Sequence, residues 1–352
     1  MNSVTKLKVR AITIHEVSLS LNHSLRDIKS IINRITSVKG DVLSLRLSLK
    51  ASSVGASLLN ILSKLVGVSE LDYIAVWLES VLTPSEIVKL LRLSEKVYVS
   101  FMYSDDLPFS ISELLSIVYK DLGWEGCSRL GLSIGGPVQT PYFPVTKPEE
   151  RGYSISLLYP KFLMNLLDRG YSLDTALELI AEHALRFGEG LKKNLPFLGV
   201  DYSLSPWMDD SVVRLIEKIN EAEFGAPGTV SAIVSINEII QRIANRYCGI
   251  GFNEVMLSYA EDNRLKELAR KGLLTLKDLI NYTVYCVAGL DMAIIPIKLG
   301  VEYTDLIVSD LVKIQAIKRR CVGFRLVLIA VSYTHLRAHE TEADLVCRLL
   351  LE

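Results

Sequence analysis

"LDYIAVWLESVLTPSEIVKLL", residues 71–91, decides the fold. It opens as an apolar run of strand length and then turns at Thr83, Pro84 and Glu86 into a helix-like segment. Thr83 suits an N-cap, Pro84 the first helical turn and Glu86 the reciprocal position of a capping box. A strand followed this closely by a capped helix predicts a parallel sheet, provided its neighbours repeat the unit.

The neighbours do repeat it. "VRAITIHEV" (9–17) precedes Ser24 to Thr36, where Leu25, Ile28, Ile31, Ile32 and Ile35 share one helix face. "DVLSLRLSL" (41–49) alternates as a strand should and leads to a helix from about Gly55 to Leu65. "KVYVSFMY" (96–103) leads to a helix over Ser110 to Leu122. The texture then changes in "GLSIGGPVQTPYFPVTKPEERG" (131–152), which begins as a strand and continues as a proline- and glycine-rich loop. This loop, 135–151, is expected to be a crossover within one domain, with a domain boundary near Gln139 to Arg151 as the alternative.

Beyond it, strand-like runs return in "GYSISLLYP" (152–160), "GVDYSLSPW" (199–207), "NEVMLSYA" (253–260), "LDMAIIPI" (290–297) and "VGFRLVLIA" (322–330), with helices between them. Nine or ten strands exceed an eightfold barrel. They suit either a large open sheet or a ten-stranded α/β barrel.

The last stretch, "VSYTHLRAHETEADLVCRLLLE" (331–352), reads codon by codon as translated sequencing adapter, so Ile329 is expected to be the last securely native residue and 330–352 a non-native tail. Setting aside its two arginines and four acids moves the net charge from −1 to +1. A near-neutral chain with scattered basic residues has no phosphate-binding surplus, so neither nucleic acid nor an anionic membrane is expected as a partner. Cys127, Cys248, Cys286 and Cys321 lie far apart without a CxxC pair, which argues against a zinc site or disulfide framework and for a reducing, cytoplasmic setting. The nearly apolar stretch Leu279 to Ile297 is divided by Gly289, Asp291 and Pro296 and is expected to be a helix end and a buried strand, not a membrane span.

Ligands of parallel α/β folds sit beyond the carboxyl ends of the strands, and four second-half loops carry polar residues there. "DYSLSPWMDDSV" places Asp201 and Ser203 late on a strand and Asp209, Asp210 and Ser211 at a helix start, where capping is the competing role. "FGAPGTVSA" offers Gly225, Gly228 and Thr229 before a helix whose free N–H groups suit an anion, although a plain turn explains it equally well. "NEVMLSYAEDNRL" ends in Glu261 and Asp262, which could hold Mg²⁺ or Ca²⁺ or act as acid and base, unless they cap the next helix. "YCVAGLDMAIIP" supplies Cys286 and Asp291; the cysteine, without a nearby histidine, fits a small buried hydrophobe as well as a reactive group.

On "VRAITIH", "GGPVQTPYFP", "DYSLSPWMDDSV", "GAPGT", "GFNEVMLSYAEDNRL" and "CVAGLDMAIIP" the chain resembles the DUF711 family, also called UPF0210, in an archaeal-type branch. It departs from the bacterial pattern at Asn253 and Glu254, where that pattern has small residues. The resemblance implies a fold similar to that of pyruvate formate-lyase and anaerobic ribonucleotide reductase, a ten-stranded α/β barrel, and no particular reaction.

Two function classes follow. One is a small-molecule-binding barrel or enzyme whose acidic site, with a divalent cation as its candidate cofactor, is built from Asp201, Ser203, Asp209, Asp210, the Gly225 to Thr229 turn, Glu261, Asp262 and Asp291. Asp201, Glu261 and Asp262 are its candidate metal ligands and catalytic groups. The other is a non-catalytic scaffold, homo-oligomeric, whose carboxylates cap helices and pair with arginines. A glycyl-radical enzyme is a third class, and it would need a glycine loop aimed at a buried cysteine.

Overall fold

The computed structural model of the chain describes residues 6–38, 42–80, 83–143, 145–192, 194–287, 290–297 and 302–330. Gly289 and the adapter-like segment 331–352 lie outside the described residues. The first half runs β1 (Lys8–Glu16), α1 (Leu21–Val38), β2 (Leu45–Ala51), α2 (Ala56–Val66), β3 (Tyr73–Leu78), α3 (Pro84–Leu91), β4 (Val97–Met102), α4 (Ile111–Ser128) and β5 (Leu130–Ile134). The second runs β6 (Gly152–Leu158), α5 (Pro160–Asp168), α6 (Leu173–Leu191), β7 (Phe197–Asp201), α7 (Val212–Asn220), α8 (Thr229–Arg246), α9 (Asn263–Arg270), α10 (Leu276–Tyr282), β8 (Ala293–Pro296), α11 (Tyr303–Lys318), β9 (Val322–Phe324) and β10 (Leu326–Ile329).

The strand–helix rhythm of the first half is there, and so is the capping box: the Thr83 amide donates to Glu86 Oε2 at 3.0 Å. Strands β1 to β5 pair in parallel and in sequence order. The sheet as a whole is mixed, because β6 joins β1 antiparallel, β7 extends β6 in parallel, and β9 joins β5 antiparallel. The expected closed ten-stranded barrel is therefore corrected: eight strands curl into a half-barrel, and β8 and β10 form a separate parallel pair.

Two local causes keep the barrel open. "NEVMLSYA" is not a regular strand, since side chains take the amides a neighbouring strand would need. Glu254 N donates to Ser203 Oγ at 3.2 Å and Val255 N to Asn237 Oδ1 at 2.7 Å, leaving only isolated bridges such as Leu204 to Val255. "VGFRLVLIA" is not one strand but two, split at Arg325, whose buried guanidinium is drawn to Asp291.

Strand alternation sorts the sheet into two faces. Ile12, Ile14, Leu47, Leu49, Ile74, Val76, Val97 and Val99 lie on the face that packs with the helices in the main core. The concave face carries Thr13, His15, Ser48, Ser154 and Ser156, all fully buried. The 135–151 loop folds into this concavity: Thr13 Oγ1 donates to Pro141 O at 2.9 Å, and Tyr142 and Val145 form a second apolar cluster with Trp77, Phe252 and Met256. Among the described residues no helix is long and apolar enough to cross a membrane; Leu279 to Ile297 is divided between α10 and β8.

His15 is the titrating group of this polar floor. Its Nε2 lies 2.7 Å from Ser154 Oγ, its Nδ1 has no partner among the described residues, and burial pushes its pKa down to about 3. A histidine held neutral in the folded state contributes stability that is present above its unfolded value and lost as pH falls from about 6.5 toward 3. Urea unfolding at pH 7 and pH 5 should show a loss of ~1–2 kcal/mol for the parent that is absent in His15→Asn. Equal pH dependence in the two proteins would contradict a buried neutral imidazole.

Candidate functional site

The cleft forms where the two halves of the sheet meet with opposite polarity. Because β6, β7 and β9 run against β1 to β5, the carboxyl ends of the former share one end of the half-barrel with the amino ends of the latter. At that end a cavity of about 150 Å³ opens between Arg10, Arg46, Tyr73 and Tyr98 from the amino ends of β1 to β4 and Trp207, Met256, Glu261, Asp291 and Arg325 from the second half.

Arg10 reaches the cavity through a bulge. The β1–β6 register shifts between Val9 and Ala11, so Arg10 is the extra residue and its side chain is re-aimed off the regular alternation. It pairs with Glu261 Oε2, lies 3.2 Å from Ser205 Oγ, and its guanidinium carbon sits 5.3 Å from the Trp207 ring and 5.9 Å from that of Tyr142. Arg325 donates to both Asp291 oxygens, at 2.5 and 2.8 Å, and approaches Glu261 Oε1 at 3.4 Å. Burial alone would lower Arg325, but Asp291 and Glu261 outweigh it and raise its pKa. Arg10, Glu261, Arg325 and Asp291 thus form one alternating chain of charge across the cleft.

Arg46 is outside that chain. Its Nε donates to Ser44 Oγ at 2.9 Å, and its guanidinium carbon lies 5.5 Å from the Tyr73 ring and 5.2 Å from that of Phe143. Among the described residues its two terminal nitrogens meet no carboxylate and no backbone oxygen. Burial, then repulsion from Arg10, pushes it down to about 10, so it remains a cation at neutral pH.

Of the acids singled out in the sequence, only Glu261 and Asp291 line this cavity. Asp201 is a buried acceptor: Oδ1 takes Ser203 Oγ at 2.6 Å, Ser203 N at 3.0 Å and Asn253 N at 3.1 Å, and Oδ2 takes Thr140 Oγ1 at 2.7 Å and Phe252 N at 2.9 Å. Gly251 makes this possible, since a Cβ there would stand 2.2 Å from Asp201 Oδ2 at a φ of +85°. Asp262 caps α9 through Arg264 N at 2.9 Å and also takes Ser211 Oγ at 2.6 Å and Val213 N at 3.2 Å, while Ser211 itself caps α7. Burial raises both carboxyls, and these hydrogen bonds oppose it.

Ser203 is spent on Asp201. Asp209 and Asp210 line a neighbouring shallow basin with Lys8 and Lys161, where burial raises Asp210. Gly225, Gly228 and Thr229 form a turn tied by Thr229 Oγ1 to Ala226 O at 2.8 Å, and none lines the cleft. Cys286 is buried elsewhere, its thiol pushed up to about 12 by burial. Among the described residues no group of three or more His, Cys, Asp or Glu could hold a metal ion.

Arg10, Arg46, Tyr73 and Tyr98 lie at the amino ends of β1 to β4, outside the carboxyl-end loops where the sequence predicts a site. The signal was present: "KVRAITI" and "SLRLSL" each place an arginine between apolar residues near the start of a strand.

Fold and site together define an α/β half-barrel protein with an arginine- and tyrosine-lined cleft. Residues 111–331, more than half of the chain, match the family described as "Uncharacterised ACR (DUF711)", and the chain belongs to that family. It is similar to a UPF0210 protein of Halothermothrix orenii, 26% identical over 228 residues that cover 59% of this chain and 50% of that protein. A UPF0210 protein of Lachnoclostridium phytofermentans is 28% identical over 222 residues, covering 57% and 49%. One of Bifidobacterium animalis subsp. lactis is 28% identical over 173 residues, covering 47% and 37%. The chain spans half or less of the length of these curated relatives. They are bacterial, so the expected archaeal-type branch finds no support.

Asp201→Ala would strand the amides of Ser203, Phe252 and Asn253 in a buried site. Unfolding free energy should fall by roughly 3 kcal/mol or more in urea titration. A loss under about 1 kcal/mol would show that the carboxylate is not the organising acceptor of this region.

Proposed function

We propose that the chain is a small-molecule-binding protein whose ligand occupies the cleft at the amino ends of β1 to β4. The supporting observation is the concentration of charge there: three guanidinium groups and two carboxylates converge on one cavity of about 150 Å³ with aromatic walls. Buried charges on this scale cost stability unless function or pairing compensates them. A cavity of roughly 150 Å³ accommodates a ligand of benzene size.

The site is cationic in balance rather than acidic. Glu261 and Asp291 already share Arg10 and Arg325, and the oxygens of Asp201 and Asp262 are taken by backbone amides and hydroxyls. A divalent cation would have to break these bonds, so the donor chemistry favours an organic ligand over Mg²⁺ or Ca²⁺. Among the described residues no cysteine lines the cleft, which weighs against a glycyl-radical reaction in it. Kinship with the pyruvate formate-lyase barrel stays part of this proposal, supported by the eight-stranded half-barrel and the separate β8–β10 pair, ten strands in all.

Gly323 provides the test. It lines the cleft, and the atoms nearest a Cβ on it would be Val145 and Phe252 side-chain carbons at 3.5 to 3.6 Å, ordinary van der Waals contact, so a larger residue reaches into the cavity. In a fragment screen read by crystal soaking, hits should cluster against Arg46, Tyr98 and Phe143 and disappear in Gly323→Leu. Hits that settle elsewhere and persist in Gly323→Leu would refute the cleft as the binding site.

A further inference from the structure

We infer that the ligand of this cleft is a compact monoanion, a carboxylate carried on a planar apolar body, with Arg46 as its anchor. The inference rests on the cleft being a binding site and adds the chemical class of the occupant.

Charge comes first. Arg10, Arg46 and Arg325 face Glu261 and Asp291, so the lining carries one positive charge more than it neutralises. Arg10 and Arg325 are committed to the two carboxylates, and Arg46 is the remainder. A monoanion completes the balance, whereas a phosphate monoester would bring ~1.5 to 2 negative charges at neutral pH and leave the cavity in deficit.

Geometry then selects the carboxylate. The Arg46 guanidinium is fixed on three sides: Ser44 Oγ holds its Nε at 2.9 Å, Ser44 in turn donates to Arg10 O at 3.1 Å, and the Tyr73 and Phe143 rings lie within 5.5 Å. What stays open is the edge bearing the two terminal nitrogens. A carboxylate meets such an edge with two parallel hydrogen bonds, and a side chain already held in place loses little freedom on doing so. The hydroxyls of Tyr73 and Tyr98, whose rings stack edge to face at 5.4 Å, have no hydrogen-bond partner among the described residues and can donate to the same anion. Burial and Arg10 already disfavour the charge on Arg46, so an arriving anion relieves an existing cost.

Size and walls define the rest. About 150 Å³ holds roughly a six-membered ring with one substituent. Tyr98, Phe143, Phe252 and Met256 offer that ring apolar and aromatic faces, against which offset or edge contacts are favourable.

Four matched probes separate the terms: benzoate, benzamide, phenyl phosphate and benzylamine, titrated by ligand-observed NMR into the parent chain, Arg46→Gln and Gly323→Leu, with circular dichroism confirming each fold. Benzoate should bind the parent at least about tenfold tighter than the other three, and lose that advantage in Arg46→Gln while benzamide is unchanged. Arg46→Lys should restore less than half of the loss in binding free energy, since an ammonium lacks the paired edge. Benzamide binding as well as benzoate, phenyl phosphate binding better, or benzoate indifferent to Arg46→Gln would overturn the carboxylate assignment. Loss of all binding in Gly323→Leu would in those cases leave the cleft itself standing as the site. Failure of every probe to bind the parent at millimolar concentration would overturn the carboxylate class, and probe binding that survives Gly323→Leu would overturn the cleft.

Discussion

Five charges meet inside the half-barrel, and a charge removed from water must find a partner or be neutralised. Four of them solve the problem in a chain from Arg10 through Glu261 and Arg325 to Asp291. The chain of charges joins β1 to the break between β9 and β10, to the 3₁₀ turn Tyr259–Glu261 and to the segment that precedes β8. It therefore ties the two opposed halves of the sheet across the cavity that separates them. Arg46 is left over, and a preformed cleft with one uncompensated cation is the physical basis of the functional proposal.

A second device holds the cleft open. In a closed barrel the amides around residues 252–255 would pair with neighbouring strands. Here Asp201, Ser203 and Asn237 accept them instead, so the backbone can turn through a positive φ at Asn253 and leave the sheet. The 135–151 loop fills the concave face with Tyr142 and Val145, and the Tyr142 hydroxyl donates to Ser203 O at 3.1 Å. Sheet, loop and acceptor side chains together leave a cavity at the end where the arginines converge.

The sequence made the architecture legible where the information is local. The 3.6- and 2-residue periods, and the Thr83–Glu86 box, carry strands β1 to β5 and the helices between them. Polarity of the later strands was not legible, because β6 enters antiparallel through a loop whose sequence says only that it is not helix or strand. Arg325 broke an apparently continuous strand through a contact with Asp291, 34 residues away in sequence. At the site, Asp201 and Asp262 looked like chemistry because acids late on strands often are; a carboxylate gathering three amides is indistinguishable from one awaiting a metal until its neighbours are known. Glu261 and Asp291 were visible for the same reason and do line the cleft. Arg10 and Arg46 were visible only as charges near the start of mostly apolar strands, a weaker signal: alternation places Arg46 on the concave face, whereas Arg10 reaches it through the bulge between Val9 and Ala11.

The most direct measurement is anomalous diffraction from a crystal of this chain soaked in 4-bromobenzoate. The account predicts a bromine peak against Tyr98 and Phe143 with the carboxylate on the terminal nitrogens of Arg46. A bromine peak outside the cleft, or a cleft occupant whose carboxylate turns away from Arg46, would contradict it.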